Sequence, residues 1–287
     1  QQRPVPVEEC GHDRLAAPGE ALIIRRLNGK QLTGRDRGHL VALEEPRCTL
    51  HAAAAGPFLA MRAAAARAGF DLVPVSSFRD FERQRAIWNA KFRGERPAFD
   101  RRGRRVDMAA LDDEARVETI LLWSALPGAS RHHWGSDIDV ADGCVIARGY
   151  QPKLELGEYR RGGPFAALAG WLDANMRRFG YYRPYTRRGR GVQPEPWHIS
   201  YAPVAAPALA RMSARLLAEA IATGGVDGEA AILERLPPRE DGAEAPAHRE
   251  EVGAVEVRLE RPDVDVKPRR ASGEPREVRQ ERFEVGG

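Results

Sequence analysis

Cysteine is scarce. Cys10, Cys48 and Cys144 are the only three in 287 residues, which excludes a dense disulfide framework and leaves room for one bridge and one free thiol. Net charge is small as well: 45 basic residues stand against 41 acidic ones, a formal +4, too balanced to point to nucleic acid as a partner. No apolar run approaches the length that spans a bilayer. The chain opens at Gln1 without a basic stretch followed by an apolar one. The expectation is that a leader was removed or that the sequence starts on a processed form, so localisation is not read directly.

What is present suits a soluble globular protein, 43% hydrophobic and 30% charged. The length holds one generous domain or two small ones, and a single catalytic domain acting as a monomer is the expectation. The Arg-rich stretches 101–105 and 187–190 read as solvated loops. Cys48-x-x-His51 and Cys10-x-His12 lack a second half-site, so they read as packing or incidental residues rather than metal ligands.

Along the chain, residues 1–47 mix Pro, Gly and charge around short apolar pieces such as 21–24, an irregular lead-in with one strand. A helix is expected over 57–68, with Pro57 in its first turn and Gly69 at its end. Residues 72–76 read as a strand, and Phe81, Arg85 and Trp88 mark an amphipathic helix over 80–92. Residues 94–103 read as a loop, 112–126 as a helix stopped by Pro127-Gly128, 129–135 as a loop and 136–140 as an alternating strand. Later helices are expected over 165–179, 205–223 and 229–236, with a strand over 197–201. Beyond Pro237 the chain is Pro, Glu and Arg with few aromatics, a tail expected to be mostly disordered apart from alternation at 252–259.

Two of the seven His residues sit beside carboxylates in settings that local geometry can fix. His132 lies in Ser130-Arg131-His132-His133-Trp134-Gly135-Ser136-Asp137-Ile138-Asp139. If the strand starts at Ser136, Asp137 and Asp139 share a face, and a turn at Gly135 folds His132 back toward Asp139. Imidazole and carboxylate suit zinc, and His198 can add a nitrogen while leaving a fourth position open. Glu195, three residues before His198, is placed for base work on a zinc-activated water.

The pattern Ser-x-His-x-x-Gly-x-x-x-Asp, followed about sixty residues later by Glu195-Pro196-Trp197-His198, resembles the signature of the D-alanyl-D-alanine carboxypeptidase family that includes VanY-type and L,D-carboxypeptidases. Upstream, Ser76-Ser77-Phe78-Arg79 with Gln84 resembles that family's Ser-Gly-Tyr-Arg element and its following Gln. The resemblance covers residues 32–202. It implies an α+β fold, a small antiparallel sheet flanked by helices, with a zinc carboxypeptidase domain over 32–225 between a lead-in at 1–31 and a short helix plus charged tail at 226–287.

It also implies zinc as cofactor on His132, Asp139 and His198, with Glu195 as catalytic base and acid. Arg79 would stabilise the oxyanion or hold the substrate, and Ser130 and Gln84 would contact the terminal carboxylate or backbone of a peptidoglycan peptide. Trp197 would wall the pocket, and Tyr182 would be a further substrate contact or a core aromatic. Two departures bear on substrate choice: Asp137 stands where the family usually has Ala and is expected to hydrogen-bond a ligand His or add charge near the metal, and Phe78 replaces Tyr. His133, next to His132, should point elsewhere. Release of a C-terminal D-Ala is the activity implied, with a peptidoglycan endopeptidase as the alternative. A non-catalytic zinc-stabilised binding module is a third reading, against which an intact Glu195 counts. Such a substrate implies the periplasm or cell envelope, with cytoplasmic recycling as the other location.

Overall fold

In a computed structural model, which describes residues 25–186 and 192–236, a short helix α1 (Gly29–Leu32) leads into a hairpin of β1 (Leu40–Leu43) and β2 (Cys48–His51). The expectations for 21–24, for 187–190, for Cys10 and His12 and for the tail lie outside the described residues. Helix α2 (Ala52–Arg67) starts five residues before the expected 57. His51 is the reason: its Nδ1 accepts the Ala53 N–H at 3.0 Å and caps the helix end. Pro57 therefore lies inside the helix, not in its first turn.

Strand β3 (Leu72–Ser76) follows, and then α3 (Phe81–Phe92), capped by the Asp80 carboxylate on the Arg83 N–H at 2.7 Å. The expected loop at 94–103 contains β4 (Ala98–Phe99), paired with β5 (Arg105–Val106); two-residue strands are too short for alternation to betray them. Helix α4 (Asp113–Leu121) ends before 126 because the Trp123 and Ser124 amides both turn onto the Ile120 carbonyl, at 3.1 and 2.9 Å. Next come β6 (Asp137–Asp142), α5 (Gly143–Ile146), α6 (Ala166–Asn175), β7 (Tyr181–Tyr182) and β8 (His198–Tyr201). The helix expected over 205–223 is two, α7 (Ala202–Arg211) and α8 (Ala214–Ala222). Ser213 is extended between them, and its hydroxyl accepts the Leu216 N–H at 3.2 Å to start the second. Helix α9 (Glu229–Arg235) closes the described chain.

The main sheet runs β3-β6-β8-β7, antiparallel throughout, so the fold is α+β with a small antiparallel sheet flanked by helices. Alternation sorts its two faces. Ile138 and Val140 of β6 and Ile199 of β8 enter a core with Phe58, Met61, Leu72, Leu172 and Tyr181. Asp137, Asp139, His198 and Ser200 are left on the opposite face. A second core packs α3, α4, α8 and α9 through Phe81, Trp88, Ile120, Leu217 and Ile232. Val226 and Ile232 thus belong to the same packed body as residues before 225. Cys48 is buried in the first core and Cys144 is exposed, and both are free thiols. Among the described residues no helix is long and apolar enough to cross a membrane.

Candidate active site

The β6–β8 register sets Asp139 directly opposite His198, so two of the three expected ligands face each other across a single strand pair. His132 arrives from the 3-10 turn Arg131–Trp134, which ends at Gly135 with φ +68°. A side chain at 135 would be strained by that φ and would also meet the His51 amide nitrogen at 2.5 Å. The result is that His132, Asp139 and His198 each offer one ligand atom, all within 4.8 Å of one another and all buried.

Each imidazole has one nitrogen committed elsewhere. His132 Nδ1 donates to the Ser77 carbonyl at 2.9 Å, leaving Nε2 facing Asp139 Oδ2 at 3.4 Å. His198 Nε2 donates to Asp137 Oδ1 at 2.7 Å, leaving Nδ1 at 3.3 Å from Asp139 Oδ1 and 3.2 Å from Glu195 Oε2. Asp139 Oδ1 is buried without a hydrogen-bond partner among the described residues, an acceptor of the kind that a cation satisfies. Burial holds the His132 pKa down to about 4, the neutral form that ligation requires. Burial also opposes charge on His198, but the hydrogen bond to Asp137 and the neighbouring Asp139 and Glu195 carboxylates outweigh it and raise its pKa well above the usual value. The proton drawn to that nitrogen marks where positive charge is stabilised. A divalent ion fits the donor set of two imidazoles and a carboxylate.

Asp137 makes the hydrogen bond to a candidate ligand His expected of it. Its carboxylate also takes Arg131 Nε at 2.8 Å, the Ser200 hydroxyl at 3.0 Å and a short bond from Ser136. Arg131 extends this buried network to the hydroxyls of Tyr182 and Ser200, both at 2.7 Å. Tyr182 is therefore braced against Arg131.

Arg79 Nη1 donates to Gln84 Oε1 at 2.7 Å, and the Gln84 amide in turn donates to the Ala125 carbonyl at 2.7 Å. Gln84 is 0% exposed; the structure places it behind Arg79 as a brace. The Arg79 backbone is held too, its N–H on His132 O at 3.2 Å and its carbonyl taking His133 Nδ1–H at 2.6 Å. His133 also accepts the Gly128 N–H at 3.1 Å, so it does point away from the trio. Ser130 is 2% exposed at the start of the turn carrying His132. Trp197 packs into a core with Tyr159, Phe165 and Ala169. Burial raises the pKa of Glu195, against the opposing pull of His198.

Three residues escaped the sequence reading. Arg131 lay at an unmarked position of the motif, Tyr185 meets His198 edge-on with ring centroids 5.1 Å apart while its carbonyl takes the Glu195 N–H at 3.0 Å, and Lys91 sits on α3 with Glu195 in its electrostatic surroundings. Only the long-range fold brings them in, so spacing carried no signal for them.

The sequence model of the VanY D-alanyl-D-alanine carboxypeptidase family matches residues 47–204, more than half of the chain, and the chain belongs to that family of peptidoglycan-related carboxypeptidases. Two uncharacterized proteins of Haemophilus influenzae are similar to it. One is 46% identical over 104 residues, covering 35% of this chain and 71% of its own; the other is 38% identical over 97 residues, covering 33% and 74%. Among solved structures, VanYB in complex with D-Alanine-D-Alanine is 22% identical with a TM-score of 0.41, over 67% of this chain and 87% of that one.

Proposed function

We propose that this chain is a zinc-dependent carboxypeptidase that releases the C-terminal D-alanine of peptidoglycan stem peptides, as a D,D- or L,D-carboxypeptidase. The observation that carries the reading is the pair of buried imidazoles, each with one nitrogen committed to a protein oxygen and the other turned toward Asp139, with Glu195 Oε2 3.2 Å from His198 Nδ1. His132, Asp139 and His198 would hold the ion. When bound, zinc supplies Lewis acidity to the attacking water and to the scissile carbonyl.

Glu195 takes a proton from the water and hands it to the departing amine nitrogen, so that the C–N bond breaks as a free amino acid leaves. Its raised pKa suits a group that must both accept and return a proton. The Arg79 guanidinium, held by Gln84 and by Ser76 Oγ at 3.3 Å, is oriented to stabilise developing oxyanion charge or to grip the substrate carboxylate. Gln84 acts through Arg79, which alters the direct contact expected of it. The substrate extends the proposal to the periplasm or cell envelope as the place of action.

The test is incubation with defined stem peptides and reading of the products by mass. Loss of one alanine from a pentapeptide ending in D-Ala-D-Ala marks a D,D-carboxypeptidase, and loss from a tetrapeptide an L,D-carboxypeptidase. Cleavage of a cross-linked dimer alone would make the chain an endopeptidase, and no cleavage of any would overturn the proposal.

A further inference from the structure

The stretch 101–105, which reads from the sequence as a solvated loop, is the turn and second strand of the β4–β5 hairpin, and the charge of the chain is concentrated there. Residues 96–106, between Glu95 and Asp107, hold five arginines (Arg96, Arg101, Arg102, Arg104 and Arg105) against one acid, Asp100. The rest of the chain then has 40 basic and 40 acidic residues, 45 less five and 41 less one, so the formal +4 of the whole protein equals the excess of this one segment. All five arginines are exposed. Arg104 pairs with Asp100 at 2.8 Å, while Arg102 and Arg105 form no ion pair with another described residue.

The hairpin holding them is braced. Ala98 is buried in the helical core and Val106, its cross-strand partner, packs against that core. Alternation therefore sets the next pair, Phe99 and Arg105, on the opposite, open face, where they are neighbours across the two strands. The Asp100 carboxylate accepts the Arg102 and Arg104 amides at 2.8 and 2.9 Å and so closes the turn. Trp123 Nε1 donates to the Phe99 and Asp100 carbonyls at 3.1 and 3.3 Å, which ties the hairpin to the residues just after α4. Phe99 is 37% exposed, the one aromatic among the three large apolar side chains that stand open in the described residues. An open ring and several guanidiniums thus share one exposed turn whose backbone is already ordered, and a ligand docking there orders little further chain.

We propose that the β4–β5 hairpin docks the protein on an anionic phospholipid surface, with its arginines among the lipid phosphates and the Phe99 ring at the boundary of the acyl chains. Charge complementarity and the ring together choose this partner. Guanidiniums pair bidentately with phosphate, and each cation near an anionic bilayer adds to the attraction. A free phosphate would satisfy the arginines and leave the ring in water, whereas the bilayer interface covers both. The cations also gather with the ring at one turn rather than along an elongated face that would follow a polymer. The contact is peripheral and reversible, weakened by salt because its cations are exposed. Neither zinc nor hydrolysis enters it, so it stands or falls apart from the carboxypeptidase reading.

The test is co-sedimentation of the full chain with vesicles of mixed phosphatidylglycerol and phosphatidylcholine, against vesicles of phosphatidylcholine alone and against insoluble peptidoglycan. The mixed vesicles should take up the protein at low ionic strength and release it in high salt, and the neutral ones should leave it in solution. Arg102→Gln combined with Arg105→Gln should lower the partition coefficient about 10–30-fold, at roughly fivefold per cation, and should flatten the salt dependence. Both side chains are exposed, so this pair of changes alters charge without touching the packing of the hairpin. The matching pair of Arg→Lys changes should keep most of the binding. Phe99→Ser should weaken it severalfold and leave the salt dependence as steep as before. Equal uptake by neutral and anionic vesicles, uptake unchanged by the arginine pair or by Phe99→Ser, or sedimentation with peptidoglycan alone would overturn the proposal. Release from the vesicles by soluble glycerol phosphate at the concentration of the lipid phosphates would mark a site for free phosphate and overturn it as well.

Discussion

Asp137 is a single carboxylate with four donors. His198 Nε2 and Arg131 Nε meet Oδ1, and the Ser136 and Ser200 hydroxyls meet Oδ2, so its acceptor capacity is filled and its orientation fixed. Through that orientation it selects the His198 tautomer with Nδ1 free for an ion. A buried Arg–Asp pair adds little net stability after desolvation, so its value here lies in aiming His198. Asp137→Ala is therefore expected to weaken zinc binding about 10–100-fold, measured by competition with a chelator; an unchanged affinity would remove Asp137 from the support of the site. Asp137 was visible in the sequence as a departure from a motif, because strand alternation put it on the face of Asp139. Arg131 was not, since nothing local says that a residue before His132 turns to meet a residue six positions on.

At the scale of elements, β6 and β8 carry the site because alternation leaves their polar residues on one face and Ile138, Val140 and Ile199 in the core. That pattern is periodic and was legible. Element ends were less so, being set by single side chains: His51 starts α2 and Ser213 divides α7 from α8. The His51 cap also makes a pH prediction. Its Nδ1 must be unprotonated to accept the Ala53 amide, and burial, with a smaller contribution from His39, lowers its pKa from 6.5 to about 4. Between those values the unfolded chain takes up a proton that the folded one refuses, so stability is present above pH 6.5 and is lost as pH falls toward about 4. The loss should reach about 3 kcal/mol. Urea unfolding of the wild type and of His51→Asn, which caps without titrating, should diverge over that window; parallel curves would show that His51 does not contribute.

At the scale of the molecule, the candidate site is assembled from distant parts of the chain, between a sheet-centred core and a helical core. β3 delivers Arg79, the turn after α4 delivers His132, and the loop into β8 delivers Glu195. The order of those pieces was legible from motifs, because each is held locally by its own strand end or turn. What was not legible is the bracing that depends on segments far apart in sequence: Gln84 buried behind Arg79, Tyr182 against Arg131, and Trp197 in a core. The proposed hydrolysis depends on Glu195 as the base beside a metal that His132, Asp139 and His198 would hold. Its most direct test is D-alanine release from a D-Ala-D-Ala-terminated stem peptide by zinc-loaded Glu195→Ala. The prediction is release slowed about 10²–10⁴-fold in a protein that still holds zinc; release at the wild-type rate would contradict it.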